Sequence, residues 1–229
     1  MTAQKLPGSA AARHGGGDAD LTIMVAAHDA LRRDLEALGR AAQAPGRRGP
    51  DGQRSVAAGW QLFKRQLHLH HTAEDDLVWP VMRERLEHSG NAWSVLDEME
   101  AEHGRIDPLL AEVDAGFAAA AASPGGRPGA DQLASAVERL AGALTGHLAH
   151  EEKDVLPLIG VTLTAAEWRR VGFKIARHNG LSAGGEMFSW ILSSAAPGQA
   201  RAITGQLPPP ARALYRAVWK PRFEKTRRW

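Results

Sequence analysis

The amino-acid sequence predicts an all-α protein: an up-down-up-down four-helix bundle followed by a C-terminal helical extension. Three observations carry that prediction. Apolar residues recur at steps of three and four in four separate stretches, the period of a helix with one buried face. Segments rich in Pro and Gly separate these stretches, and such segments end helices. Finally, the pattern HHTAEDDLVWP at His70–Pro80 returns as HLAHEEKDVLP at His147–Pro157. Without a gap, His70 matches His147, Glu74 matches Glu151, and Pro80 matches Pro157.

Composition sets the frame. At 229 residues, with 44% hydrophobic and 24% charged residues, the chain is long enough to bury a sizeable core. No run of eighteen apolar residues is present, so no membrane span is expected. The N-terminal stretch lacks the apolar centre of a signal peptide, which points to a cytoplasmic address. There is no cysteine, which removes disulfides, thiolate zinc sites, iron–sulfur clusters and cysteine nucleophiles together. A net charge of +2 is too small for nucleic-acid binding by the chain as a whole.

Residues 1–18 are small, polar and Gly-rich and are expected, His14 included, to form a mobile tail. The bundle is expected over residues 19–158. Its first helix runs from Asp20 to about Ala42, with Leu21, Met24, His28, Leu31, Leu35 and Leu38 on one stripe. A loop at 44–53 precedes the second stripe, Val56, Trp60, Phe63, Leu67, His70, Glu74, Leu77 and Val81. Pro80 is expected to kink or tighten this helix. After a break near His88 and Gly90 comes the third stripe, with Leu96, Met99, His103, Ile106, Leu110, Val113 and Phe117. A loop at 123–130 leads to the fourth, with Leu133, Val137, Leu140, Leu144, His147 and Glu151.

Polar residues thus stand inside every apolar seam: His28, His70, Glu74, His103, His147 and Glu151. Burying them unpaired would cost on the order of 1–3 kcal/mol each, and more for a charge. A His and a Glu four apart share one helix face, so each repeat copy aims an imidazole and a carboxylate at the same point. That donor set suits a transition metal, iron or manganese in particular. A single seam His is more simply a core residue paired with a Glu; four in register with two carboxylates favour a metal. Counting from the loop centres, partners on neighbouring helices lie at similar depth, to within about 3 Å around the two long loops at 1.5 Å per residue. His68, His71, His88 and His150 fall off the seams and read as surface residues, with His71 and His150 as candidate hydrogen-bond partners to ligands. Asp75 and Glu152 read as exposed helix residues.

The order H, HxxxE, H, HxxxE over residues 20–158, with His28-Asp29-Ala30-Leu31-Arg32 and Glu102-His103 as flanks, resembles the hemerythrin-like HHE cation-binding family. The resemblance implies two non-haem, oxygen-bridged iron ions, with Glu74 and Glu151 bridging them, His28 and His70 on one iron, and His103 and His147 on the other. Oxygen-carrying hemerythrins have a further His one turn after the third-helix His. Here that position is Asp107, a candidate seventh ligand that precedes Pro108 and is therefore biased away from helical geometry. Glu100 and His103 form one ExxH pair, the ferritin-like ligand motif, but that architecture needs the motif twice.

Two function classes follow. One is an enzyme or scavenger reacting with hydrogen peroxide, O2 or NO. The other is a non-enzymatic protein that stores or senses iron or carries O2. Asp107 favours the first in either position, by leaving both irons open or by adding negative charge that holds them oxidised.

The extension, residues 159–229, opens with a capping box at Thr164–Glu167 and a helix expected to stop at Asn179–Gly180. Short helices are expected at 186–195 and 197–205, then a rigid break at Pro208–Pro210. In the last helix Ala211, Tyr215 and Trp219 stand among Arg212, Arg216, Lys220 and Arg222. Its aromatics are expected to pack on the bundle; its basic face is either solvated or a dock for an acidic partner.

Overall fold

Helices dominate the described residues of the computed structural model, which are 19–43, 49–86, 90–122 and 127–229, and no strand occurs among them. The expectations for the tail at 1–18, for His14 and for His88 lie outside them. The helices are α1 (Thr22–Ala42), α2 (Pro50–Ala73), α3 (Trp79–Arg85), α4 (Gly90–Ala122), α5 (Arg127–His150), α6 (Leu156–Thr162), α7 (Ala165–Leu192), α8 (Pro197–Gln206), α9 (Pro209–Leu214) and α10 (Lys220–Glu224). The first long loop is shorter than its Pro and Gly content suggested. Gly49 is the N-cap of α2 and Pro50 its first residue, where a missing N–H costs nothing.

Two apolar clusters share the interior, and the polar seam residues form a layer between them. One cluster holds Leu31 to Ala42 of α1, Trp60 to Leu67 of α2, Ile106 and Val113 of α4, and Leu133 to Leu148 of α5. The other holds Val78 to Leu86, Leu96 and Met99 of α4, and Val155 to Leu163. Along α2 the chain passes from the first cluster through His70 and Glu74 to the second. Along α4 it passes the other way, with His103 between, and along α5 it returns by His147 and Glu151. The stripes drive this assembly, since each buries its apolar side chains and carries the polar ones inward with them.

The helix changes pitch at both repeat copies. A π turn spans Glu74–Val78 between α2 and α3, and another spans Glu151–Val155 between α5 and α6. A third spans Tyr215–Trp219 between α9 and α10. In each case a Pro stands six residues after the turn begins: Pro80, Pro157 and Pro221. The Pro ring would collide with the carbonyl four residues back, which belongs to Asp76, Lys153 and Ala217. Those carbonyls all lie in the widened turn, which makes room for the ring. Pro80 therefore widens the helix where a kink or tighter turn was expected.

The extension covers one side of α1 and α2. Thr164 forms the capping box with Glu167, and α7 breaks at Gly180, whose φ of 75° and ψ of 170° suit a residue without a side chain. Trp190 on the second arm of α7 is buried and donates to Asp34 Oδ2 of α1 at 2.7 Å. Arg33 donates to the Trp190 carbonyl at 3.2 Å. Trp229 lies against α2 at Gly59, where a methyl group would fall 2.5 Å from its ring. Arg216, Lys220 and Arg222 are exposed. No described helix is long and apolar enough to cross a membrane.

Candidate metal centre

The structure brings the six seam residues together and adds a seventh, His71. His28, His70, Glu74 and Glu151 offer ligand atoms within 4.8 Å of one another, and so do His71, His103 and His147. The two groups adjoin. His70 and His71 are neighbours on α2, about 100° apart around its axis, so one faces each group. His71 stacks on His103 with ring centroids 3.9 Å apart and stands edge-on to His147 at 5.3 Å. Glu74 lies between the groups, with Oε1 at 3.2 Å from His70 Nε2 and Oε2 at 3.5 Å from His103 Nε2. Glu151 Oε2 stands 3.1 Å from His28 Nε2 and 4.0 Å from His70 Nε2.

Asp107 belongs to neither group and is exposed. Its helix explains why. The inward residues of α4, Met99, His103, Ile106 and Val113, define a face from which position 107 is rotated by roughly 85° at 100° per residue. The third imidazole that the sequence lacked at that position comes from α2 instead.

The Nε2 atoms of all five imidazoles and both oxygens of Glu74 and Glu151 are buried without a hydrogen bond. Each group left orphaned costs about 1–3 kcal/mol. Protons on His28 and His103 turn some of these contacts into hydrogen bonds to Glu151 and Glu74, but the cluster has more electron-pair donors than protons to pair them, so hydrogen bonds cannot satisfy all nine. Cations can, which is why the residues present fit a metal centre.

The other ring nitrogens are held by carboxylates. His28 Nδ1 meets Glu152 Oε1 at 2.8 Å, His103 Nδ1 meets Asp75 Oδ1 at 2.9 Å, and His147 Nδ1 meets Glu102 Oε2 at 2.9 Å. Each such contact fixes the ring so that Nε2 points inward. Asp75 and Glu152, expected on the surface, are thus part of the centre, one residue after each Glu in both repeat copies. Arg32 grips Glu152 through two hydrogen bonds of 2.7 and 2.9 Å. His150 shares Glu102 at 3.0 Å.

Charge in the metal-free centre is divided unevenly. Burial opposes protonation of His28, but Glu151, Glu74 and Glu152 overcome it and raise its pKa to about 9. His103 likewise rises to about 9 through Asp75 and Glu74, against burial. Burial, and then Glu151, push Glu74 up to about 8. Burial lowers His70, His71 and His147, and neighbouring imidazoles add to the effect. In Glu151 the contacts with His28 outweigh burial and hold its pKa below the usual range.

Comparison with known proteins agrees with this geometry. The family model described as the hemerythrin HHE cation binding domain matches residues 19–159, more than half of the chain. No curated protein and no solved structure matches.

Proposed function

Because the chain belongs to the hemerythrin HHE cation-binding family, we propose that it holds two non-haem iron ions and reacts with small oxidants: hydrogen peroxide, O2 or NO. The scaffold in this reading is an up-down-up-down bundle of α1, α2–α3, α4 and α5–α6, supported by the alternating order in which those helices cross the two apolar clusters. One observation carries the metal count. The two oxygens of buried Glu74 face different histidine groups, the placement of a carboxylate shared by two cations.

Iron, when bound, supplies a Lewis acid able to exchange electrons with a small oxidant. The chain does the rest. His28, His70, Glu74 and Glu151 would hold one ion, and His71, His103 and His147, with Glu74, the other. Asp75, Glu102 and Glu152 orient three of the rings, while the apolar clusters on either side limit bulk water. Nitrogen and oxygen donors without thiolate suit iron in its higher oxidation state.

A second reading, reversible O2 binding, is favoured by His71. It gives one group the third imidazole whose absence at Asp107 had argued for redox turnover. Metal analysis of protein purified without chelator tests the centre, with two irons per chain expected and zero or one refuting it. Adding peroxide or O2 to the reduced protein then separates the readings. Consumption over many turnovers supports the oxidant-reactive reading, and uptake of O2 that reverses under vacuum supports the second.

A further inference from the structure

Charge is divided unequally along the chain. Residues 1–158 hold sixteen Lys or Arg against twenty-three Asp or Glu, a net charge of −7, and residues 159–229 hold twelve against three, a net charge of +9. Between residues 19 and 158 every described Lys or Arg side chain pairs with a carboxylate. In the extension Lys220 alone does so among the described residues, and two of the three Glu there, Glu167 and Glu186, are taken by Arg85 and Arg65 of the bundle. Four of the cations left without a carboxylate share one face of the first arm of α7, before its break at Gly180. Arg169, Arg170, Phe173, Lys174 and Arg177 fall within an arc of about 140° at 100° per residue, opposite Val171 and Ile175, which pack inward. All four cations are exposed, and Phe173 among them is 68% exposed. Leu181, just past the break, is 75% exposed.

We infer that this face docks on an anionic membrane surface, with the four cations on lipid headgroups and Phe173 and Leu181 in the interfacial layer. Isolated exposed apolar side chains are ordinary. Here four of the six large ones exposed among the described residues, Val161, Phe173, Leu181 and Val218, lie in the basic extension. Anionic lipid satisfies both kinds of group at once, since its headgroups attract the charges while apolar side chains leave water just beneath them. Nucleic acid fits less well. Its phosphates would pair with the cations but offer nothing to Leu181, and single strands are held in a groove by successive stacking aromatics, whereas this arm presents an outward helix face with one. Docking is peripheral, because no described helix is long and apolar enough to cross a membrane. None of these residues belongs to the candidate metal centre, so the docking face stands or falls apart from the metal reading.

The probe is a vesicle of phosphatidylserine and phosphatidylcholine in equal parts, with phosphatidylcholine alone as its uncharged counterpart. In flotation of the full chain as purified, binding should require phosphatidylserine and weaken as salt rises. Each Lys or Arg at such a surface is worth about fivefold in affinity, so Arg169→Gln with Lys174→Gln should lose about 25-fold. Phe173→Ser keeps every charge and should lose about tenfold through the apolar contact alone. Arg216→Gln with Arg222→Gln removes the same charge from the C-terminal helices and should lose no more than about fivefold, since charges away from the contact are screened. All these positions are exposed, so helix content by circular dichroism and metal content should match the parent. Absence of phosphatidylserine-dependent binding overturns the inference. So does equal loss in the two charge variants, or a Phe173→Ser that floats like the parent. A DNA oligomer that binds where vesicles do not, and is released by Arg169→Gln with Lys174→Gln, would make nucleic acid the occupant instead.

Discussion

Replacing His71 by Leu should have opposite effects on the metal-free and metal-loaded protein. The imidazole is 6% exposed, its Nε2 has no hydrogen bond, and burial keeps it neutral. Without metal, that nitrogen is a desolvated acceptor worth about 1–3 kcal/mol of lost stability. Leu has similar bulk, can still pack against the His103 ring, and carries no polar atom. Metal-free His71→Leu should therefore be more stable than its parent by that amount. At about 2–4 °C per kcal/mol for a chain of this size, the melting temperature should rise by roughly 2 to 12 °C. With iron supplied, the order should reverse, because the group of His71, His103 and His147 loses one of three imidazoles. Metal content should fall from two per chain to one, and the stabilisation from binding should shrink with it. Differential scanning calorimetry with and without iron, beside metal analysis, reads both effects. Asp107→Ala is the companion, and it should leave metal content and both melting temperatures unchanged. If His71→Leu keeps two metals, or if its metal-free form melts lower than the parent, the assignment of His71 is wrong.

Two further expectations concern protons and ring orientation. Above pH 6.5 the metal-free protein should lose stability steadily up to about pH 9. The folded pKa values of His28 and His103, near 9, and of Glu74, near 8, all exceed their unfolded values, so the folded state holds protons that the unfolded state releases first. Below pH 6.5 the lowered values of His70, His71 and His147 act in the opposite sense. Metal displaces those protons, so affinity should rise over the same window. Urea titrations at pH 6.5 to 9 that stay flat or climb without metal would contradict this. Glu152→Gln and Asp75→Asn keep the shape but remove the charge that holds His28 and His103. Each should weaken one metal by about 10- to 100-fold in a chelator competition, and equal weakening of both metals by a single variant would count against separate roles.

The helices, and the six polar seam residues that the structure gathers into one layer, could be read from the sequence because each stripe has one apolar face and the polar exceptions stand on it. His71 could not. It lies about 100° around α2 from His70, off the stripe, and its counterpart in the second repeat copy is Leu148, so the repeat gave no hint. The centre is wide enough to take ligands from two directions on one helix, a property of the assembled layer. Asp75 and Glu152 did carry a signal, an acidic residue after the Glu in both copies, but it reads as surface until the facing histidines are in place. The Pro six residues after each Glu was visible too, yet its effect on pitch depends on how a crowded helix relieves the clash. In the extension the capping box and Gly180 were legible because both are local. The seating of Trp190 on Asp34 was not, being settled between residues 156 positions apart.

The bonds from carboxylates to ring nitrogens also tie distant parts of the chain. Glu152 and His28 are 124 positions apart, whereas Asp75 and His103 are 28 apart and Glu102 and His147 are 45 apart. A cation shared by His28 and Glu151 would act as a reversible cross-link that closes more than half of the polypeptide into a ring. The entropy lost on closing a loop grows only with the logarithm of its length, so joining α1 to α5 costs little more than joining nearer helices. It secures the helix whose contacts are the most remote in sequence. Loading the centre is thus a topological event as well as a chemical one: it binds the start of the bundle to its end, so that neither can detach while the ring is closed.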